Sequence, residues 1–348
     1  MTGVHASSAG HPAVSPGLWT LAWRRLRADR VAMLALAVVG VFLLSVLLAA
    51  TGLVAADWED EVAVNYAPPT FMGPDPALAA LSRPPPPAPP NAFDPLAADV
   101  AAELARLKAG LARQGRAAQV ARAATLPFGA DKWGHDIVKK TIKGGQTSIV
   151  VGLVAALVAV ALGTLFGALS GFYGGVVDDL FNWFYSVFTA IPSILMILAV
   201  AAVLQTRGVL TIVLILGLTG WTGPYRLIRA EYIKHKARDY VMAADAIGAS
   251  GWRRMFVHIF PNVSHVALVQ MSILVVGFIK AEVILSFLGF GVPVGVVSWG
   301  SMLNEAQNEL ILGKWWQLAA AASAMALLVT AFSLFADALR DALDPKLK

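Results

Sequence analysis

The sequence contains no cysteine among its 348 residues, and this excludes disulfide bonds, cysteine nucleophiles and thiolate metal sites. Charged residues are also scarce, because aspartate, glutamate, lysine and arginine together make up 14% of the chain, whereas hydrophobic residues make up 57%. A typical soluble domain carries about 25% charged residues. The composition therefore indicates a protein that crosses a membrane several times.

The short motifs of nucleotide-binding and metal-dependent enzymes are missing as well. The nearest approach to a G-x-x-x-x-G-K-[ST] loop, Gly129 to Gly134, is followed by His135 and Asp136. There is no H-E-x-x-H, and the six histidines are scattered. We therefore expect no catalytic residue, no metal site and no cofactor bound by this chain, which must draw its energy from a gradient or from another chain.

Six apolar runs are long enough to cross a bilayer as helices, for which roughly 18 or more residues are needed. They cover about 31–54, 147–171, 184–204, 208–225, 264–290 and 316–337. The sequence thus predicts an all-α integral membrane protein with six transmembrane helices.

Basic residues set the expected orientation. Four arginines precede the first run, which is too long for a cleaved signal core, so we interpret it as a retained anchor with a cytoplasmic amino terminus. Six crossings return the carboxyl terminus to the same side. They also place the loop at about 226–263 in the cytoplasm, and this loop carries seven basic residues: Arg226, Arg229, Lys234, Lys236, Arg238, Arg253 and Arg254.

The chain accordingly divides into five parts. We assign 1–30 as a cytoplasmic segment, 31–54 as the first transmembrane helix, 55–143 as an extracytoplasmic segment, 144–340 as a five-helix core that includes the cytoplasmic loop, and 341–348 as a cytoplasmic tail.

Lysines 139, 140 and 143 lie on the predicted outer side, against the charge rule. We interpret "WGHDIVKKTIKGGQTS" as a helix along the membrane surface with its lysines among the lipid headgroups.

The extracytoplasmic segment contains an insert of unusual composition. "RPPPPAPPN", Arg83 to Asn91, predicts stiff polyproline II. From Pro95 to about Thr125 an apolar stripe recurs every three or four residues and predicts an amphipathic helix. We expect this helix to pack on the outer face of its own protein, and the alternative is binding to a partner. The stripe consists of Leu96, Val100, Leu104, Leu107 and Leu111.

Small residues at four-residue spacing run along the second predicted span: Ala155, Ala159, Gly163, Gly167, Gly171 and Gly175. In lipid such a smooth stripe allows another helix to approach closely, so it marks a packing face within the chain or toward a second subunit. Trp315 and Trp316, at the start of the sixth span, fit an interfacial aromatic anchor.

The stretch "YVMAADAIGASGWRRMFVHIFPN" predicts two short helices joined by a tight turn. Gly248 can end the first helix in a left-handed conformation, Ser250 can cap the second, and Pro261 is expected to stop it. Two apolar faces are predicted at helical spacing, and Arg253 and Arg254 are expected to form a cationic outer face. The faces are Tyr240, Ala243, Ala244 and Ile247 in the first helix, and Trp252, Met255, Phe256 and Ile259 in the second.

Three roles compete for this pair of helices. A DNA-reading helix-turn-helix is disfavoured because a short loop tethered to membrane spans at both ends is a poor reader of a major groove, so no nucleic-acid partner is expected. A connector resting on anionic lipid is possible for any basic loop. A lipid surface does not require a defined shape, however, whereas docking into another protein does.

The stretch resembles the cytoplasmic EAA loop of ATP-binding-cassette importer permeases, with Ala243, Ala244, Gly248 and Pro261 at the matching spacing. Met242 replaces the Glu of that pattern. The chain is similar to the dipeptide and oligopeptide permeases, the DppC and OppC type, over about 19–56 and 126–347. Further matching stretches are "PFGADKWGHDIVKK", "WTGPYRLIRAEYIKHKARDYV", "LSFLGFGVPVGVVSWGSML" and "ADALRDALDPKL", and residues 70–125 have no counterpart.

The resemblance implies a type I ABC importer permease fold and a non-catalytic subunit of the cell (inner) membrane. Its implied partners are a second related permease in a heterodimer, two cytoplasmic ATPase subunits that use ATP and Mg, an extracytoplasmic solute-binding protein, and the lipid bilayer. The loop would form coupling helices seated in an ATPase, with Gly248 supplying the turn and Arg253 an ionic contact. The implied coupling set is Tyr240, Ala243, Ala244, Asp245, Gly248, Trp252, Arg253, Phe256 and Pro261.

Two charges lie within the fifth predicted span. Lys280 and Glu282 are two residues apart, so they point in different directions and are not expected to pair with each other. Intramembrane charge is costly and usually faces a cavity or a partner. Two roles are consistent with these charges: they could line the cargo pathway, or they could contact the partner permease. A rival hypothesis is a gradient-driven secondary transporter that uses these charges.

The resemblance implies di- or oligopeptides as the cargo. Similar permeases also carry nickel chelates, opines or peptide antibiotics, and the sequence leaves these alternatives open.

Overall fold

Helices account for most of the structure. The computed structural model of the protein describes residues 18–76, 97–113, 122–204, 206, 208–293 and 295–343, and within these ranges there are isolated bridges but no β-strand. The helices are α1 Leu18–Ala28, α2 Arg30–Ala50, α3 Ala97–Arg113, α4 Ile137–Tyr173, α5 Gly175–Thr189, α6 Ser193–Leu204, α7 Val209–Thr219, α8 Thr222–Lys236, α9 Asp239–Ala246, α10 Gly251–Phe287, α11 Trp299–Ile311 and α12 Trp316–Leu343. The all-α expectation is confirmed for the described ranges.

Four helices are long and apolar enough to cross a membrane, namely α2, α4, α10 and α12. Helices α5 and α6 pass this test only as a pair, and they are bent by 84°. Helix α7 has 11 residues, which span about 16 Å at 1.5 Å per residue, too little for the hydrocarbon core. The described residues therefore provide four spans, or five with the bent pair, and the count of six stays a prediction.

The predicted continuous helices at 184–204 and 208–225 are wrong. The first breaks between α5 and α6, where Pro192 has no N–H to donate and disfavours a helical conformation of Ile191. The second breaks at Gly220 and Trp221, between α7 and α8. Apolar composition predicted both segments, but composition alone does not reveal where the backbone turns.

Helix α4 lies at the centre and packs closely against α8. A Cβ atom added to Gly163 would lie 2.6 Å from the carbonyl oxygen of Trp221, and one added to Gly171 would lie 2.6 Å from that of Arg229. Only glycine permits this approach. The small-residue stripe is therefore a packing face within the chain, buried at Ala155, Ala159, Gly163, Gly167 and Gly171, whereas Gly175 is exposed beyond the end of α4.

Residues 55–76 and 122–136, which we call the inter-span segment, lie between α2 and α4. Ala63 pairs with Ala123, and Pro69 pairs with Leu126, as isolated bridges. The indole N–H of Trp316 donates to the carbonyl of Ala130 at 2.7 Å, and Trp316 is only 1% exposed. The prediction of an interfacial anchor is therefore wrong for Trp316, because its indole is satisfied inside the protein.

The predicted surface helix at residues 133–148 is also wrong. Helix α4 begins at Ile137, where the Asp136 side chain accepts the Val138 N–H at 2.7 Å, and it continues without a break. Two of the three lysines are held by acidic partners: Lys139 bonds Asp57 at 2.6 Å, and Lys140 is buried in an ion cluster described below. Lys143 is half-buried.

The amphipathic helix of the insert is confirmed over Ala97–Arg113. Residues 122–125 are not helical, and residues 83–91, 95–96 and 114–121 lie outside the described ranges. Val100, Leu104 and Leu107 are 55%, 48% and 59% exposed. The expected packing of this stripe on the protein's own surface is therefore not observed at these three positions.

The two ends of the described chain meet. Ala22 and Leu26 of α1 are buried together with Ala342 and Leu343 at the end of α12. Residues 344–348, which belong to the predicted tail, lie outside the described ranges.

Candidate functional site: the helical knob at residues 239–259

The knob, residues 239–259, consists of α9, a tight turn and the first turns of α10. Gly248 has a φ of +81° and its N–H donates to the Asp245 carbonyl at 2.8 Å, while the Ala249 N–H donates to the Ala244 carbonyl at 3.0 Å. This is a Schellman ending, which favours glycine. Ser250 then caps α10 by accepting the Arg253 N–H at 3.3 Å. The predicted turn and cap are confirmed.

A small apolar core joins the base of the knob to α4 and α8. Val241, Met255 and Ile259 are buried there with Phe172 and Tyr232. The Tyr232 hydroxyl donates to the Met255 carbonyl at 3.1 Å, and burial raises the pKa of this phenol. The knob is thus a packed projection, because its inner face is fixed to two long helices.

The first predicted apolar face is only partly correct. Of its members, Ala244 is buried, but Tyr240, Ala243 and Ile247 are exposed, Ile247 by 85%. The buried side of α9 is instead formed by Val241 and Ala244. A helix of eight residues offers too few positions for spacing alone to distinguish a buried face from an exposed one.

The second predicted face divides in the same way. Met255 and Ile259 are buried, whereas Trp252 is 61% exposed and its ring lies 4.2 Å from that of Phe256. Pro261 does not stop the helix, contrary to prediction. Residues Arg254–Ile259 form a π-helical turn just before it, and this wider turn accommodates the missing proline N–H within a continuous α10.

The two arginines of the predicted cationic face point to different surroundings. Arg253 is exposed, as expected. Arg254 turns inward, and its Nη1 lies 2.6 Å from Oδ1 of Asp245. Asp245 belongs to the predicted coupling set, and in this structure it is paired inside the knob while 60% of its side chain stays exposed.

The outer face of the knob exposes large apolar side chains. Met242, Ile247, Trp252 and Val257 are each more than half exposed, and Tyr240 is 38% exposed with its hydroxyl 2.8 Å from Nδ1 of His235. Burial lowers the pKa of His235. Because the knob belongs to the predicted cytoplasmic loop, outside the bilayer, these exposed apolar side chains indicate a surface for another macromolecule.

The two charges of the fifth predicted span lie in different environments. Glu282 is fully buried in α10 and accepts a hydrogen bond from the Ser286 hydroxyl at 2.6 Å. Lys280 is exposed. Within the described ranges they form no ion pair with each other. In this conformation only Lys280 presents a surface that could meet cargo or a partner.

A buried ion cluster lies between the inter-span segment and helices α4, α11 and α12. Nζ of Lys140 lies 2.7 Å from Asp131 and 2.6 Å from Glu305, and Gln317 donates to Glu305 at 3.2 Å. Glu309 is 1% exposed beside them. Sequence reasoning missed this cluster because its members are far apart in the chain, and only the departure of the lysines from the charge rule signalled it.

Burial affects the carboxyl groups of this cluster differently. It raises the pKa of Glu309 to about 7, helped by the nearby negative charges of Asp131 and Glu305 and opposed by Lys140. Burial also works to raise the pKa of Asp131, but the charge and hydrogen bond of Lys140 outweigh it and hold that pKa below its ordinary value. Asp131 is therefore a charged counter-ion of Lys140 at neutral pH, whereas Glu309 can change charge near pH 7.

Comparison with known proteins connects these features to a family. The family described as "binding-protein-dependent transport system inner membrane component" matches residues 163–348, and "N-terminal TM domain of oligopeptide transport permease C" matches residues 17–69. The first of these matches covers more than half of the chain.

Individual relatives agree. The chain is 36% identical over 221 residues to the oligopeptide transport system permease protein OppC of Bacillus subtilis (strain 168), a match that covers 64% of this chain and 72% of the relative. It is 35% identical over 221 residues to the dipeptide transport system permease protein DppC of the same organism, covering 64% and 69%. For OppC of Haemophilus influenzae the identity is 32% over 219 residues, covering 63% and 70%.

Proposed function

Because this chain belongs to the family of binding-protein-dependent transport system inner membrane components, we propose that it is the permease subunit of an ATP-driven importer for di- and oligopeptides. The relatives named for oligopeptide and dipeptide transport support the cargo class. Nickel chelates, opines and peptide antibiotics are alternative cargoes. Family membership argues against the gradient-driven secondary transporter.

The observation that carries the proposal is the exposed face of the knob. Ile247 and Trp252 are held outward on a segment whose inner face is fixed to α4 and α8, and Arg253 adds an exposed positive charge beside them. A cleft in a partner ATPase would bury such apolar side chains, at about 25 cal/mol for each Å² removed from water. A lipid headgroup layer would not require the fixed turn at Gly248.

In the proposed assembly two ATPase subunits bind and hydrolyse ATP with Mg, and this chain hydrolyses nothing. It pairs with a second related permease and receives cargo from an extracytoplasmic solute-binding protein. ATPase closure displaces the knob, and the knob moves α4 and α8 because it shares a core with them. Alternation between inward-facing and outward-facing states then carries the cargo across.

The proposed topology has six transmembrane helices with both termini in the cytoplasm and an extracytoplasmic insert between the first two. The packing of α1 on the end of α12 supports placing both ends on one side. The domain limits of the sequence analysis are retained in this proposal, including the coupling loop at about 226–263. Lys280 remains the better candidate for a pathway or intersubunit contact, because Glu282 is buried within the chain.

Co-purification of the detergent-extracted protein with its candidate ATPase tests the proposal. Gly248→Val places a β-branched residue at a φ of +81°, at a cost of roughly 1–2 kcal/mol, and should distort the turn. The matched control is Gly313→Val, where φ is +75° and the added Cβ likewise meets nothing within 4 Å. We expect the wild type and the control to retain the ATPase and Gly248→Val to lose most of it.

Membrane levels of all three proteins must be equal for this comparison. Retention of the ATPase by Gly248→Val at the wild-type level would show that the knob does not dock. Loss of the ATPase from Gly313→Val as well would show that strain anywhere in the protein disturbs the complex, and would remove the support for a specific coupling face.

A further inference from the structure

The end of α4 contributes the aromatic ring of Phe172 to its junction with the knob. Phe172 is 5% exposed, and two cationic groups lie over it: the guanidinium of Arg254, 5.5 Å from the ring centroid, and Nζ of Lys236, 5.6 Å from it. Lys236 is the last residue of α8, and Arg254 belongs to α10. Contacts of cations with an aromatic face at this distance are stabilising, and more so when they are partly desolvated.

Arg254 also holds the other half of the knob. Its ion pair with Asp245 ties α10 to α9, and 23% of the Arg254 side chain is exposed. The buried Nε of Arg254 has no hydrogen-bond partner in the described part of the chain. Burying part of a guanidinium without a hydrogen-bond partner costs free energy, so Arg254 is not simply a solvent-exposed charge of a surface helix.

The backbone of α10 is poorly suited to transmit a displacement of the knob, because its helical hydrogen bonding is irregular here. The π-helical turn Arg254–Ile259 begins at the same residue, and π turns interrupt the regular hydrogen-bond ladder of a helix. If α10 were the only connection, displacement of the knob by a partner would partly deform this π turn and would not be transmitted in full to the rest of the protein. The contact of Arg254 with Phe172 bypasses the π turn and leads directly to α4, which is locked against α8 by its glycine stripe.

We infer that Arg254 is a positioning residue that joins the knob rigidly to the end of α4, so that displacement of the knob by a partner moves α4 and α8 together with it. The inference rests on the proposed function for the origin of the displacement. The neighbouring residue Arg253 has the contrasting role, because it is exposed and belongs to the docking face.

The rigidity of the junction can be measured directly. The chain has no cysteine, so two spin labels can be attached at Ile247→Cys on the knob and Leu157→Cys on α4, which are 85% and 56% exposed. Distance distributions are recorded for the detergent-solubilised full chain alone, and again with its candidate ATPase and ATP. Arg254→Met removes the charge while keeping an unbranched apolar side chain, and Arg253→Met is the matched control.

We expect a single narrow distance in the wild type and in Arg253→Met, unchanged by the ATPase and ATP, and loss of that narrow distance in Arg254→Met. Arg254→Lys keeps a cation near both Phe172 and Asp245 and should restore it. Asp245→Asn, which leaves the arginine in place, should give an intermediate width and serves as the test if Arg254→Met does not fold. A narrow distance in Arg254→Met that equals the wild-type distance overturns the inference. If Arg254→Met does not fold, the same result in Asp245→Asn overturns it.

ATPase co-purification separates this inference from the proposed function. We expect Arg254→Met to retain the ATPase and Arg253→Met to bind it less well. If the wild type itself retains no ATPase, the proposed function fails, while the distances measured on the chain alone still decide whether Arg254 makes the junction rigid.

Discussion

Glu309 makes the stability of the protein depend on pH near neutrality. Its carboxyl group is 1% exposed, and burial raises its pKa to about 7 from an ordinary 4.5. At about 1.36 kcal/mol per pKa unit, this difference corresponds to on the order of 3 kcal/mol. This is a large share of the free energy of unfolding of a typical domain, which is about 5–15 kcal/mol.

The sign follows from which state holds the proton. Between about pH 4.5 and 7 the folded protein keeps Glu309 protonated while the unfolded chain has lost that proton. The contribution of Glu309 to stability is therefore fully present below pH 4.5, falls as the pH rises through this window, and is lost above pH 7. Asp131 of the inter-span segment, Lys140 of α4 and Glu305 of α11 are the charged groups that act on it.

Thermal unfolding of the wild type and Glu309→Gln in detergent, at pH 5 and pH 8, tests this reasoning. Glutamine imitates the protonated carboxyl group, so the variant should melt at a higher temperature than the wild type at pH 8 and near it at pH 5. Glu305→Gln is the control, because it removes a partner of Lys140 and should lower the melting temperature at both values. Equal pH dependence of wild type and Glu309→Gln would refute the assignment.

Two further substitutions test the packing and the buried charges. Gly167→Leu places a Cβ 2.8 Å from a carbonyl oxygen of α8 and should sharply lower the yield of folded protein in size-exclusion chromatography. Gly277→Leu, which has open space around it, is the control and should leave the yield unchanged. Equal yields of the two variants would contradict the close packing of α4 on α8. Lys140→Met leaves Asp131 buried without its cation and should cost about 3–5 kcal/mol, seen as a lower melting temperature, and an unchanged melting temperature would count against a buried ion cluster.

Local features were the most predictable from sequence. The turn at Gly248 and the cap at Ser250 depend on residues within a few positions of each other, and both occur as predicted. The glycine stripe was predictable for the same reason, because its spacing fixes one face of one helix. The helix that packs on the stripe could not be predicted, because the spacing fits a helix of the same chain and a helix of a second subunit equally well.

Proline shows why other features could not be predicted. Pro192 ends a helix run and produces a sharp bend, whereas Pro261 lies within a continuous helix because a π turn precedes it. The two residues have the same chemistry, and the surrounding packing decides the result. Lys140 illustrates the same limit for charge, since its partners Asp131 and Glu305 are brought to it only by the fold.

Docking of the exposed face of the knob on an ATPase is tested most directly by site-directed crosslinking. Ile247→Cys is the only thiol in an otherwise cysteine-free chain and is 85% exposed, and Ile311→Cys, at a position that is 84% exposed on the predicted outer side, is its control. A short thiol-reactive crosslinker applied to inside-out membrane vesicles containing the candidate ATPase should join the ATPase to residue 247 and not to residue 311. Absence of a crosslink at residue 247, or equal crosslinking at both positions, would show that this face of the knob does not dock on the ATPase.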